Sequence, residues 1–277
     1  MKWSYNMTHK IYKTLLNEKN NKTPNGLYHK IQILFAYNSN HIEGSTLTKD
    51  QTRHIFESNT FLAEKEQIIK ADDILEAKNH FKAFDFILDT MSEDLNSDYL
   101  KKVHSILKDN CSNIATIGDF KQKQNFVGDI KTTPPKLVEN EISNLLQSYA
   151  KKSQKTINDI IDFHFEFETI HPFEDGNGRV GRLLMFKECL KENIVPFIID
   201  EESRLFYYRG LKEYKQTKGY LVDTCLHCQD KFKETLEYFE IEHNKETDII
   251  KTISQSKSKN QSKSKKPKSN ENSEIGL

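Results

Sequence analysis

Twelve consecutive residues, His171-Pro172-Phe173-Glu174-Asp175-Gly176-Asn177-Gly178-Arg179-Val180-Gly181-Arg182, gather the side chains needed to hold and attack a phosphate. Gly176, Asn177 and Gly178 can take backbone conformations that aim successive N–H groups at one point. The apolar stretch after them predicts a helix whose N-terminus faces the same point, an arrangement that favours an anion. Arg179 and Arg182 are three residues apart, so both leave one face of the first helical turn and add guanidinium charge. Asp175 is a hard oxygen ligand suited to Mg²⁺ riding on phosphates, and His171 is the one side chain of the run that takes up a proton near neutral pH. Singly, each piece has an ordinary reading as a turn, a solvated arginine pair or a structural histidine. In this order, ahead of an apolar helix, they point to function.

The elements that must position this run read as helices. Ile74, Ala77, Phe81, Phe84 and Leu88 recur at steps of three and four, as do Leu100, Val103 and Leu107, and Ile160, Phe163, Phe167 and Ile170. An all-α core follows. The helix ending at Ile170 is apolar around much of its circumference, which predicts a central helix delivering His171 from the interior; Pro172 then hinders its continuation. Thr48 and Gln51 have capping-box spacing for a helix through Ile55. Leu27, Ile31 and Leu34 mark an amphipathic helix, with Gly44 as its stop. One stretch breaks the pattern: Phe126 to Thr133 is β-rich around Gly128-Asp129 and closed by Pro134-Pro135, the signature of a small hairpin. The expected organisation is an N-terminal segment over 1–26, one domain over 27–250 with the hairpin at 126–135, and a Lys/Ser-rich tail over 251–277 too poor in apolar residues to fold.

The formal net charge of the 277 residues is zero, but the tail from 251 carries seven Lys and two Glu, so the rest is net acidic. A folded nucleic-acid-binding face is therefore not expected. Four scattered cysteines, Cys111, Cys189, Cys225 and Cys228, do not make a disulfide framework, and the Cys225/Cys228 pair has helix-face spacing with no second ligand pair. With no apolar leader in residues 1–25 and no membrane-spanning run, the expectation is a soluble cytoplasmic protein.

The 171–182 run resembles the signature of the Fic family, His-Pro-Phe-x-(Asp/Glu)-Gly-Asn-Gly-Arg-x-x-Arg, at every fixed position. Most such proteins transfer AMP from ATP to a hydroxyl of a target protein. The resemblance implies His171 as general base, Asp175 as ligand of Mg²⁺ (or Mn²⁺ in its place), Gly176, Asn177, Gly178 and Arg179 around the phosphates, Arg182 at the γ-phosphate and Phe173 as a buried anchor. Ser39-Asn40-His41-Ile42-Glu43-Gly44 fits the family's inhibitory motif, (Ser/Thr)-x-x-x-Glu-(Gly/Asn), in the N-terminal position of one subgroup. There Glu43, in the inhibitory helix over 39–44 that begins with Ser39, would pair with Arg182 and displace the γ-phosphate. The stretch with Val127, Gly128, Asp129 and Ile130 falls where the family carries a flap that docks the target by strand pairing. Tyr207-Tyr208-Arg209-Gly210-Leu211 resembles a family segment whose second aromatic, here Tyr208, lies by the adenine; Lys215 stands where relatives often carry Asn.

The implied activity is protein adenylyltransfer, with ATP as substrate and a target protein, or the chain itself, as acceptor. Three rivals share the residues. The site could remove AMP, with Glu43 orienting a water. It could move a phosphoryl or UMP group, although Doc-like phosphoryl-transferring relatives replace the second signature glycine with Lys where Gly178 stands here. It could be a nucleotide-gated interaction module, against which the intact His171 argues. Target and oligomeric state are not written in the sequence.

Overall fold

The computed structural model describes residues 8–63, 67–127 and 130–241. The chain divides into Met1–His243, which holds all of these, and Asn244–Leu277. The tail expected to be disordered, and Gly128 and Asp129 of the hairpin, lie outside the described residues.

Ten helices and one two-stranded hairpin follow in order: α1 (Thr8–Asn21), α2 (Leu27–Ile42), α3 (Lys49–Ser58), α4 (Ala71–Asp89), α5 (Ser97–Leu107), β1 (Phe126–Val127), β2 (Ile130–Lys131), α6 (Pro135–Ala150), α7 (Ile157–Ile170), α8 (Asn177–Lys191), α9 (Arg204–Lys212) and α10 (Gly219–Tyr238), all among the described residues. Helix starts are written locally. Thr48 and Gln51 form the expected capping box of α3, Thr156 and Asp159 form another at α7, and the Asn96 side chain caps α5. The hairpin pairs Phe126 with Lys131 and Val127 with Ile130, antiparallel.

The central helix is α8, not α7. Every residue of α8 from Asn177 to Leu190 is buried, whereas α7 keeps Glu166 and Thr169 at the surface. The sequence hid this because α8 carries Arg179, Arg182, Lys187 and Glu188, which read as a solvated face but are paired inside the protein. Helices α1, α2, α4, α5 and α7 all pack against α8. Phe35 of α2, Phe84 of α4 and Phe186 of α8 meet with centroids 5.3–5.9 Å apart and form the middle of the core. Helix α1, in the segment expected to precede the domain, seats Ile11 and Leu15 in this same core, both fully buried. All four cysteines are free and buried.

Burial of α1 gives a direct test. Leu15→Ala should cost about 2–5 kcal/mol, as for other buried leucines, while Leu205→Ala, at a side chain 73% exposed, should stay within about 0.5 kcal/mol of the parent. Urea unfolding of both variants reads the contrast.

Candidate active site

Helix α7 ends at Ile170, and His171 closes it in the left-handed conformation (φ 52°), its N–H still bonded to Phe167 O at 2.9 Å. That backbone, uncommon outside glycine, turns the chain out of the helix at the catalytic candidate. Phe173 is fully buried against the rings of His104 (4.0 Å) and Phe120 (5.7 Å) and anchors the loop. The Asn177 side chain shuts it: Oδ1 accepts from Phe173 N at 2.8 Å and Nδ2 donates to Phe173 O at 2.9 Å. Gly176 (φ 82°) then starts α8 without a side-chain cap, which leaves the first-turn N–H groups open to an anion.

Both signature arginines are buried, and they face different partners. Arg179 pairs with Glu76 of α4 and with Asp175 (3.1 Å), and Lys108 bridges Glu76 and Asp175. Arg182 instead meets the end of α2: Nε donates to Ser39 Oγ at 3.1 Å, and Nη2 donates to Ser39 O at 2.9 Å and to Glu43 Oε1 at 2.7 Å. Glu43 is the C-cap of α2 and reaches the position that a side chain at Gly178 would occupy, so glycine there makes the approach possible. Burial raises the Glu43 carboxyl, but the Arg182 and Arg179 guanidinia outweigh it and hold Glu43 below its ordinary value.

His171, Gly178, Arg182, Glu43, Tyr208 and Val127 line one cavity of about 490 Å³, together with Glu168 and Tyr207. Burial, with the nearby Lys121 ammonium adding to it, lowers the His171 imidazole to about 4, so it is neutral. Its Nδ1 lies 3.3 Å from Glu168 O and 3.7 Å from Glu168 Oε2, which leaves Nε2 as the free basic atom. Glu168 is pushed up to about 8 by burial and then by Glu43. Asp175 is held at about 2, where the Arg179 and Lys108 cations overcome its desolvation.

The structure thus brings together His171, Gly178, Arg182, Ser39 and Glu43 as expected, with the hairpin beside them. Asp175, Asn177 and Arg179 are not in the cavity wall; Asn177 acts on the loop backbone, and Arg179 on Glu76 and Asp175. Tyr208 does line the cavity, and its hydroxyl donates to Ile42 O at 2.8 Å, tying α9 to the end of α2. Sequence reasoning missed Glu76, Lys108, Lys121 and Glu168, and named Tyr207 only as part of the Tyr-Tyr segment without assigning it to the site. Of the four missed, only Glu168, three residues before His171 on a helix, carried a local signal.

The donor set fits a metal-bound nucleoside triphosphate. No three His, Cys, Asp or Glu converge into a metal cage among the described residues. Mg²⁺ suits one carboxylate plus phosphates and water, and Asp175, ionised and 40% exposed at its side chain, has the chemistry of such a ligand. Arg182 Nη1 is buried beside Gly178 without an acceptor among the described residues, a donor available to a phosphate oxygen.

Comparison with known proteins shows what the chain is similar to. A profile described as the Fic/DOC family matches residues 94–189. The chain is 29% identical over 181 residues to a protein adenylyltransferase Fic of Nematostella vectensis, covering 64% of this chain and 42% of that protein. It is 27% identical over 187 residues to protein adenylyltransferase fic-1 of Caenorhabditis elegans, covering 65% and 36%. The chain therefore spans less than half the length of these curated relatives. In fold it resembles a Fic domain containing signaling protein from Bacteroides thetaiotaomicron, with a TM-score of 0.65 at 20% identity over 82% of this chain and 94% of the other.

Burial of four histidines predicts the acid limb of stability. His80 and His164 are lowered to about 3, and His104 and His171 to about 4, in each case chiefly by desolvation from an ordinary 6.5. The unfolded chain protonates them below that value and the folded chain does not, so stability falls as pH drops from 6.5 toward 4. Glu168 acts oppositely: folded near 8 against an ordinary 4.5, it favours folding at low pH and loses that contribution as pH rises through 8. Four groups outweigh one, and the urea midpoint should be lower at pH 5 than at pH 7. Glu168→Gln should flatten the loss on the alkaline side.

Proposed function

We propose that the chain is a protein adenylyltransferase of the Fic kind, moving AMP from ATP to a Ser, Thr or Tyr hydroxyl of a target protein, a reading supported by the Fic/DOC match over 94–189 and by the similarity to protein adenylyltransferases. The observation that carries the reading is the convergence of a neutral His171, the uncapped N-terminus of α8 and Arg182 on one cavity beside an edge-exposed hairpin.

In the proposed step, His171 Nε2 takes the proton of the target hydroxyl as that oxygen forms its bond to the α-phosphorus. The bond from the α-phosphorus to the oxygen bridging to the β-phosphate breaks, and pyrophosphate leaves. A positioned base contributes about 10²–10⁴-fold. The α8 N–H groups stabilise charge growing on the phosphate oxygens, and Arg182 takes the γ-phosphate. Asp175 would hold Mg²⁺, or Mn²⁺, which when bound supplies Lewis-acid charge neutralisation at the phosphates. Strand pairing along β1, whose Phe126 and Val127 side chains are exposed, would fix the target backbone and leave its side chains free.

Glu43 is the brake in this reading. With Arg182 committed to Glu43 and Ser39, the γ-phosphate has no guanidinium to receive it, and ATP settles without its α-phosphorus aligned. Glu43 also lines the cavity with His171, so the same pair could orient a water and release AMP from a modified target. Among the described residues no helix is long and apolar enough to cross a membrane, and the four free cysteines suit a reducing compartment such as the cytoplasm.

Glu43→Gly should raise AMP transfer more than about tenfold, a gain above ~1.4 kcal/mol. The cost in stability should be about 1–2 kcal/mol, since Arg182 keeps both Ser39 acceptors. Adding Arg182→Ala should remove the gain, and adding His171→Ala should abolish transfer while nucleotide still binds. Labelled ATP or UTP with a cell lysate measures transfer and the choice of nucleotide, urea unfolding reads the stability cost, and nucleotide titration of the purified variants reads the binding. An unactivated Glu43→Gly rejects the brake, and loss of label from a pre-modified target instead of gain identifies removal.

A further inference from the structure

Lys121 is a buried cation whose acceptors are all neutral. Its Nζ, on a residue 1% exposed, donates to Asn125 Oδ1 (2.7 Å), Thr132 Oγ1 (2.7 Å), His171 O (2.8 Å) and Ile170 O (3.3 Å). No carboxylate forms an ion pair with it among the described residues, and desolvation alone lowers its ammonium to about 8. An apolar side chain of similar length would avoid that desolvation, so packing does not account for the charge.

The four acceptors fall into two groups. Asn125 and Thr132 flank the hairpin at its base, and Ile170 and His171 supply the last carbonyls of α7, which lack intrahelical donors and favour a cation. The backbone repeats the link: Lys121 N donates to Pro172 O at 2.8 Å, and Asn125 Nδ2 donates to Phe173 O at 2.8 Å. Across the hairpin base, Thr132 Oγ1 also reaches Asn125 O at 3.1 Å, and Gln124 Nε2 reaches Thr132 O at 3.0 Å. One ammonium therefore joins the hairpin to the backbone that carries the base.

We propose that Lys121 is a positioning residue that holds the hairpin, and with it the docked target hydroxyl, in register with His171. This rests on the adenylyltransfer reading above. Its second effect is electrostatic: a fixed positive charge next to His171 disfavours the imidazolium and keeps the ring able to accept a proton. Misplacement of reacting groups by about 1 Å can cost roughly 10²-fold in rate, so the rigidity of this joint matters directly to turnover.

The test uses the full chain in the activated Glu43→Gly background, with Lys121→Met, Lys121→Arg and Thr132→Val. Three readouts apply: labelling of lysate proteins with labelled ATP, amide hydrogen exchange at Phe126, Val127 and Lys131, and NMR titration of the His171 imidazole. Lys121→Met should lower labelling by roughly 10–10²-fold at unchanged ATP affinity, speed hairpin exchange and raise the His171 pKa; Lys121→Arg should restore much of the labelling and the low pKa. Thr132→Val, which removes an acceptor on the hairpin side only, should speed exchange and leave His171 unmoved. The proposal is overturned if Lys121→Met leaves exchange and titration at parent values, or if labelling persists when both have changed. Should Lys121→Met fail to fold, unchanged exchange in Thr132→Val overturns it equally. A parent that labels nothing rejects adenylyltransfer itself, while exchange and titration still decide the role of Lys121.

Discussion

A guanidinium taken out of water is costly unless its donors meet anions or other acceptors, and α8 buries two of them within one turn, Arg179 and Arg182. The surrounding helices are placed by that requirement as much as by apolar packing. Glu76 arrives on α4, Lys108 at the end of α5 balances the excess negative charge of Glu76 and Asp175, and α2 brings Ser39 and Glu43. Each carboxylate comes from a different element, Glu76 from α4, Asp175 from the loop and Glu43 from the end of α2, so the arginines fix where those helices lie relative to the loop at 171–177.

Both arginines keep one buried donor unmatched among the described residues, Nε of Arg179 and Nη1 of Arg182, and they differ in how their carboxylates are held. Arg179 sits between Glu76 and Asp175, which Lys108 also holds, so its ion pairs are cross-linked. Arg182 has a single carboxylate partner, Glu43, at the end of a helix where the chain is about to turn at Gly44. A carboxylate carries fewer acceptor oxygens and less charge than a terminal phosphate. In the proposed reading the lone Glu43 is therefore the partner that a γ-phosphate displaces, while Lys108 keeps the Arg179 pairs together.

What the sequence disclosed follows sequence separation. The loop of 171–182 was legible because its parts are neighbours along the chain, and the cap of α3 because a box spans four residues. Ser39 and Glu43 lie 143 and 139 residues from Arg182, and only the resemblance to a known motif linked them. Lys108 with Asp175, and Lys121 with His171, join residues 67 and 50 apart with no motif to announce the contact. A different ambiguity hid α8, where internal charge pairs mimic a solvated face. Helix α1 was overlooked because Ile11 and Leu15 give only a four-residue step in a polar segment, too short a period to separate a docked helix from a loose one.

Two ties meet at the loop, and they run to separate elements. The phosphate end depends on α8 and on Arg182, which α2 controls through Ser39 and Glu43. The hydroxyl end depends on the hairpin, which Lys121 joins to Ile170 and His171. Among the described residues no hydrogen bond connects Ser39 or Glu43 to the stretch from 121 to 132, so displacing Glu43 from Arg182 breaks nothing in the hairpin joint. In the proposed reading, such independence lets a brake work by occupying a phosphate ligand while the base and the docking edge stay assembled. On that reading the resting protein differs from an active one in the Glu43–Arg182 pair at the mouth of α8, a local change and not a rearrangement of the core.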